Sequence, residues 1–324
     1  MKAATLIPGI RRLVEHNGQV RAGESAVVVT DPTMTGYAEL LAGELTAAGA
    51  TPVVCVMPAR HHDGEEPPPA VAAAMLSADV IFCPVSRSIT HTRAMRAALD
   101  QGSRAILMTA YDDSVLTSPS LLLTDFAAQR DVCRRLGDTL AAARTIHVTS
   151  PGGTDLTFSV EGRGFANVLT GQPGQGELAP VPTIEVNVVP LEGTASGRIV
   201  ADCSVPYLGI GLLREPIVCE VEDGFIASVE GGDQAAVLAA DWAARGDKNC
   251  YNIAELGIGL NPHARPTGVM LEDEGILGTV HFGIGTSYTL GGSITAPTHY
   301  DLLVWHPVVS ADDATVLRDR EILV

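Results

Sequence analysis

Ala26-Val27-Val28-Val29, the turn Asp31-Pro32, a helical stretch over residues 37–48, Gly49 and a second apolar run over residues 52–57 spell one β-α-β unit. A crossover helix returns the chain to the same end of the sheet, so the two runs must pair in parallel. The pattern repeats outward. Strands are expected at residues 80–84 and 105–108, with helices at about 91–100 and 125–143. Such alternation predicts an α/β, Rossmann-like domain whose mainly parallel sheet presents ligand groups on loops at the carboxyl ends of its strands. The stretch 60–69, with Pro67-Pro68-Pro69, reads as an exposed connector.

The character changes near Thr145. Short β-rich runs separated by glycines follow at 146–149, 156–160, 183–189, 196–202, 216–221, 225–229 and 278–282, with one evident helix at 233–245. With 324 residues the chain exceeds what a single core usually serves. Residues 1–147 are therefore expected to form the α/β domain, and residues 148–324 a β-rich α+β domain that binds metal and carries the chemistry.

Lys plus Arg number 21 against 38 Asp plus Glu, a formal charge of −17 that repels phosphate backbones and anionic lipid surfaces. Nucleic acid and membrane are excluded as partners on that ground. No apolar run approaches the about 20 residues needed to span a bilayer. The six cysteines form no C-x-x-C pair and several lie in apolar runs such as Val53-Val54-Cys55-Val56, so buried reduced thiols are expected. A cytoplasmic protein is the reading. Neither G-x-G-x-x-G after the first strand nor G-x-x-x-x-G-K-[ST] is present, so nucleotide binding has no support.

The C-terminal third carries the chemistry. His299-x-Asp301 sits at the mouth of the apolar run Leu302-Leu303-Val304-Trp305, and on a strand residues i and i+2 face the same side. Imidazole with carboxylate suits divalent ions such as Zn, Mn, Fe or Co. His281 and Glu255 lie in glycine-flanked segments where backbone can approach a ligand closely. Glu185, read alone, is an acid on a solvated strand face, and Glu272-Asp273-Glu274 reads as a solvated turn. Tyr288 offers a phenol beside such a site. His91, after the third strand and ahead of a helix, sits where an α/β sheet meets ligands, although Thr90 or Thr92 as a plain helix cap explains that segment equally well.

Pro182-Thr183-Ile184-Glu185-Val186, the run Ala254-Glu255-Leu256-Gly257-Ile258-Gly259-Leu260-Asn261-Pro262, Leu271-Glu272-Asp273-Glu274 with Gly278-Thr279-Val280-His281, then Tyr288, Gly291-Gly292 and Pro297-Thr298-His299-Tyr300-Asp301 together resemble the thermophilic metallo-aminopeptidase (aminopeptidase T-like) family. The resemblance spans the second domain and extends more weakly into the first. It implies that Glu185, Glu255, His281, His299 and Asp301 bind two divalent ions and that Tyr288 is catalytic. The chain is shorter than those enzymes, and Ser293 stands where they carry a lysine. Its length, Gly224-Phe225-Ile226 and the His91 segment also resemble a related branch, the 2,5-dihydroxypyridine ring-cleaving dioxygenases. That branch holds one Fe(II) on two histidines and a carboxylate, with a histidine where this chain has Glu255 and no acid at Glu185.

Because the aminopeptidase residue stands at both positions, hydrolysis is the expected activity. Two ions (Zn, Co or Mn, with Mg also compatible) would activate water against an N-terminal peptide bond or a small amide. Glu185 or Asp301 is the expected bridge, Glu255 a ligand with a catalytic part, Tyr288 the oxyanion donor, and His91 the holder of the substrate or of the leaving-group proton. The partners expected are a small peptide or amide and, as the resemblance implies, a second copy of the chain. The alternatives are a mononuclear Fe(II) dioxygenase and a metal-stabilised binding protein without catalysis.

Overall fold

The chain is described from a computed structural model covering residues 3–324. Two compact units emerge, one of residues up to Ala127 together with Leu169–Pro182, the other of Ala128–Val168 together with Thr183–Val324.

The first unit has the α/β architecture. Strands β1 (Ser25–Thr30), β2 (Thr51–Val56), β3 (Val80–Val85) and β4 (Arg104–Thr109) lie in the order β2-β1-β3-β4, all parallel, and a short strand, Leu178–Pro180, adds in parallel beside β4. β3 is central and buried along its whole length, which explains its unbroken apolar run, Val80-Ile81-Phe82-Cys83. Val27, Val29, Ile81, Cys83 and Leu107 pack with Met75 and Met95 from the covering helices. Helix Arg93–Asp100 starts two residues later than expected, because Thr92 is its N-cap and accepts from Met95 N at 3.2 Å. The proline-rich connector ends in a helix, Pro69–Met75, that begins on the last of the three prolines. Proline is well placed there, since the first helical residue needs no donor.

The second unit is β-rich. An eight-stranded antiparallel sheet runs from Phe225–Glu230 at one edge to Glu321–Ile322 at the other. The other large sheet holds β5 (Glu185–Val188), β6 (Ile253–Gly259), β7 (Thr279–Gly285) and β8 (His299–Trp305), in the order β8-β7-β6-β5 followed by Asn167–Leu169. β6 and β7 are buried on both faces over all seven of their residues. Helix Asp233–Arg245 is ended by Gly246, whose φ of 64° a glycine adopts without strain. From its last turns Asp241 accepts from Tyr300 Oη at 2.9 Å and Arg245 Nη2 donates to the same oxygen at 3.3 Å, which ties the helix to β8.

All six cysteines are unpaired, five of them buried. None of the described helices is long and apolar enough to cross a membrane.

Trp242, on that same helix, is fully buried with its ring 5.5 Å from that of Tyr251. Trp242→Ala should lower the unfolding free energy by about 3–5 kcal/mol in urea titrations, the usual cost of deleting a buried aromatic. A loss under about 1 kcal/mol, within the range of ordinary surface changes, would show that this helix does not share the core.

Candidate metal centre

Register explains why five separated residues meet. Across β5, β6 and β7, Glu185 pairs with Gly259, Asn187 with Gly257, Gly257 with His281, and Glu255 with Gly283. Gly283 then pairs with Asp301 and Gly285 with His299 on β8. Residues directly opposite share a face, as do residues two apart. Glu185, Glu255, His281, His299 and Asp301 therefore all project from one side of the sheet.

The glycines make room. A Cβ on Gly257 would lie 2.0 Å from His281 Nε2, and one on Gly283 would lie 2.6 Å from His299 Nε2 and 2.9 Å from Glu255 Cβ. Each imidazole thus rests on bare backbone, at a spacing no side-chain-bearing residue permits.

Two overlapping groups result. Glu185, Glu255 and His281 bring ligand atoms within 4.8 Å of one another, and so do Glu255, His299 and Asp301. Glu255 belongs to both, where the sequence pointed to Glu185 or Asp301 as the bridge. Its Oε2 lies 3.0 Å from His299 Nε2 and its Oε1 4.0 Å from His281 Nε2, one oxygen toward each group. Glu185 Oε2 stands 3.6 Å from His281 Nε2, and Asp301 Oδ1 3.3 Å from His299 Nε2.

The three carboxylates and His281 are buried, Glu185, Glu255 and Asp301 being at most 5% exposed, and the His299 side chain is 24% exposed. Burial pushes Glu185 up to about 7 against the pull of His281, with Glu255 and Asp301 adding to the rise. Burial opposes the charge on His299, yet Asp301 and Glu255 carry it well above its ordinary value. Burial likewise opposes the charge on Asp301, and His299 holds it below the usual carboxylate range. His299 Nδ1 donates to the carbonyl of Thr286 at 2.8 Å, so its Nε2 is the nitrogen that faces the carboxylates.

Glu272, Asp273 and Glu274 are not a solvated turn. Glu272 and Asp273 are 3% and 0% exposed, because each accepts from backbone: Arg265 N on Glu272, and Thr267 N and Gly268 N on Asp273. Glu274 reaches the cluster and is hydrogen-bonded to Asp301. Burial raises it well above its usual value, helped by Asp301 and Glu185. A carboxyl group bonded to a carboxylate shares one proton, and Glu274 is the one placed to hold it. Tyr207, which the sequence reading passed over, donates to Asp301 Oδ2 at 2.6 Å. Asn187 could have been found from sequence, since it lies two residues from Glu185 on the same strand face.

The groups so formed comprise Glu185, Glu255, His281, His299 and Asp301. Tyr288 lies on a 3-10 turn, Tyr288–Leu290, with 66% of its surface exposed. His91 belongs to the first unit and is exposed just ahead of helix Arg93–Asp100.

Residues 10–324 match the family model NicX, 2,5-dihydroxypyridine 5,6-dioxygenase. A 2,5-dihydroxypyridine 5,6-dioxygenase of Pseudomonas putida is 26% identical over 253 residues, covering 72% of this chain and 69% of that protein. The solved 2,5-dihydroxypyridine dioxygenase of Pseudomonas putida superposes with a TM-score of 0.86 at 22% identity over 100% of this chain and 98% of that one. AmpT of Thermus thermophilus superposes with a TM-score of 0.66 at 18% identity over 99% of each chain. Both branches that the sequence resembles are thus found among the proteins similar to it, AmpT through the fold alone. The expectation of an amide hydrolase or metallo-aminopeptidase is overturned by the family match and the sequence relative, which are dioxygenases. Glu185 and Glu255 misled that expectation because a ligand set reports that metal is held rather than what is done with it. Matched over nearly its whole length, the chain belongs to the NicX family of 2,5-dihydroxypyridine 5,6-dioxygenases.

Proposed function

We propose that this protein is a metal-dependent dioxygenase that opens a dihydroxylated nitrogen-heteroaromatic ring of the 2,5-dihydroxypyridine type. Family membership supports the reaction. The observation that supports the metal is a buried carboxylate oxygen, Glu185 Oε2, that has no hydrogen-bond partner although it stands 3.6 Å from His281 Nε2. Orphaned buried acceptors are costly, and a cation is the partner such oxygens lack.

The donor set fits Fe(II). Glu255, His299 and Asp301 would hold it, one imidazole and two carboxylates where the related branch uses two histidines and one carboxylate. Bound iron supplies the redox link between an electron-rich ring and dioxygen. The chain's own residues do the rest. Thr286 fixes the ring orientation of His299, Gly283 keeps the space above the strand clear, and Glu274 is hydrogen-bonded to Asp301. The second group, Glu185, Glu255 and His281, would take a second divalent ion, with Glu255 common to both groups. Charge favours this reading, because three buried carboxylates crowd two imidazoles and an uncompensated buried charge costs several kcal/mol. The five buried, unpaired cysteines support a reducing, cytoplasmic setting.

Protein loaded anaerobically with Fe(II) should consume one O2 per 2,5-dihydroxypyridine lost, followed with an oxygen electrode and by the ring's ultraviolet absorbance. Loaded protein that leaves both unchanged contradicts the proposal. Chelation should abolish turnover, and added Fe(II) should restore it.

Gly283→Ala should drive the His299 ring and Glu255 apart, and iron content by elemental analysis should fall to near zero while the far-ultraviolet circular dichroism stays that of the parent. Gly257→Ala should displace His281 and remove only the second ion. Full metal content in both variants would show that the ions bind elsewhere.

A further inference from the structure

The two oxygens of Asp301 have different fates, and so do those of Glu185. Asp301 Oδ2 accepts from Tyr207 Oη at 2.6 Å, while Oδ1 faces His299 Nε2 at 3.3 Å, and Glu274 is also hydrogen-bonded to this carboxylate. Glu185 Oε1 accepts from Asn187 Nδ2 at 2.9 Å, while Oε2 has no hydrogen bond and faces His281. Both donors are themselves braced. The Tyr207 ring lies 5.1 Å from that of Tyr300, and its hydroxyl is 3.3 Å from Glu274 Oε1. Asn187 Oδ1 accepts from Asn167 Nδ2 at 2.7 Å, which turns the Asn187 amino group toward Glu185, and Asn167 Nδ2 also reaches the carbonyl of Leu290 at 3.3 Å.

We propose that Tyr207 and Asn187 are positioning residues, each capturing one oxygen of a ligand carboxylate so that the other is presented to the ion. A free carboxylate rotates and can chelate through both oxygens. One pinned by a donor offers a single oxygen in a fixed direction. The pairing is specific: Tyr207 serves the group with His299, and Asn187 the group with His281. Asn167 joins the second of these to the turn that carries Tyr288. The inference rests on the reading that both groups hold ions.

The test uses Mn(II) as the probe, its free concentration followed by electron paramagnetic resonance on the intact chain. Tyr207→Phe, which keeps the ring against Tyr300, and Asn187→Ala should each weaken binding at one of two sites by roughly 10–100-fold, the usual cost of losing an outer partner of a metal ligand. Melting of the metal-free protein separates loss of fold from loss of positioning. In an Asp301→Asn background Tyr207→Phe should have no further effect, whereas a structural role would add its cost again. Wild-type protein that binds Mn(II) while both variants bind it equally well overturns this inference and leaves the metal reading intact. Wild-type protein that binds no Mn(II) overturns both.

Discussion

Three carboxylates and two imidazoles are held together on one buried sheet face, and the local sequence is organised around making that arrangement tolerable. Like charges at these distances repel, and burial removes the water that would screen them. Without an ion, protons do the compensating: His299 is held protonated by Asp301 and Glu255, and Glu274 is raised so that it shares a proton with Asp301. Divalent ions perform the same compensation with more charge per site. The strand register, the glycines against which the imidazoles rest, and the donors on Asp301 and Glu185 all serve this one constraint.

The sheet sets the frame of the candidate site. Its ligands come from four adjacent strands whose backbone hydrogen bonds fix their spacing, so the metal frame does not depend on the loops that would meet a substrate. The 2,5-dihydroxypyridine dioxygenase and AmpT structures share this fold with the chain, at different closeness. A fold that positions ligands is compatible with more than one reaction, and family membership rather than ligand identity separates them here.

What was legible in the sequence follows from period and locality. The α/β first part and β-rich second part follow from apolar runs and glycine punctuation, and His299-x-Asp301 declares its shared face because strands alternate. Thr183 to Val189 marked the strand of Glu185, but its burial was hidden: strand alternation says which residues share a face, not whether another layer covers it. Glu272-Asp273-Glu274 misled for a related reason, since three adjacent acids look solvated until the backbone donors of residues 265–268 are known to wrap them. Tyr207 had no local signal, its partner Asp301 being 94 positions away. The strand Leu178–Pro180 was equally silent, because three residues beside β4 carry no period of their own.

The central claim is that metal sits on this sheet face with Glu255 as the common ligand. Anomalous scattering at the iron edge, from crystals of Fe(II)-loaded protein grown without oxygen, tests it most directly. The account predicts a peak bounded by Glu255, His299 and Asp301. An iron peak elsewhere, or an ordered cluster with the carboxylates bridged only by protons under saturating iron, would contradict it.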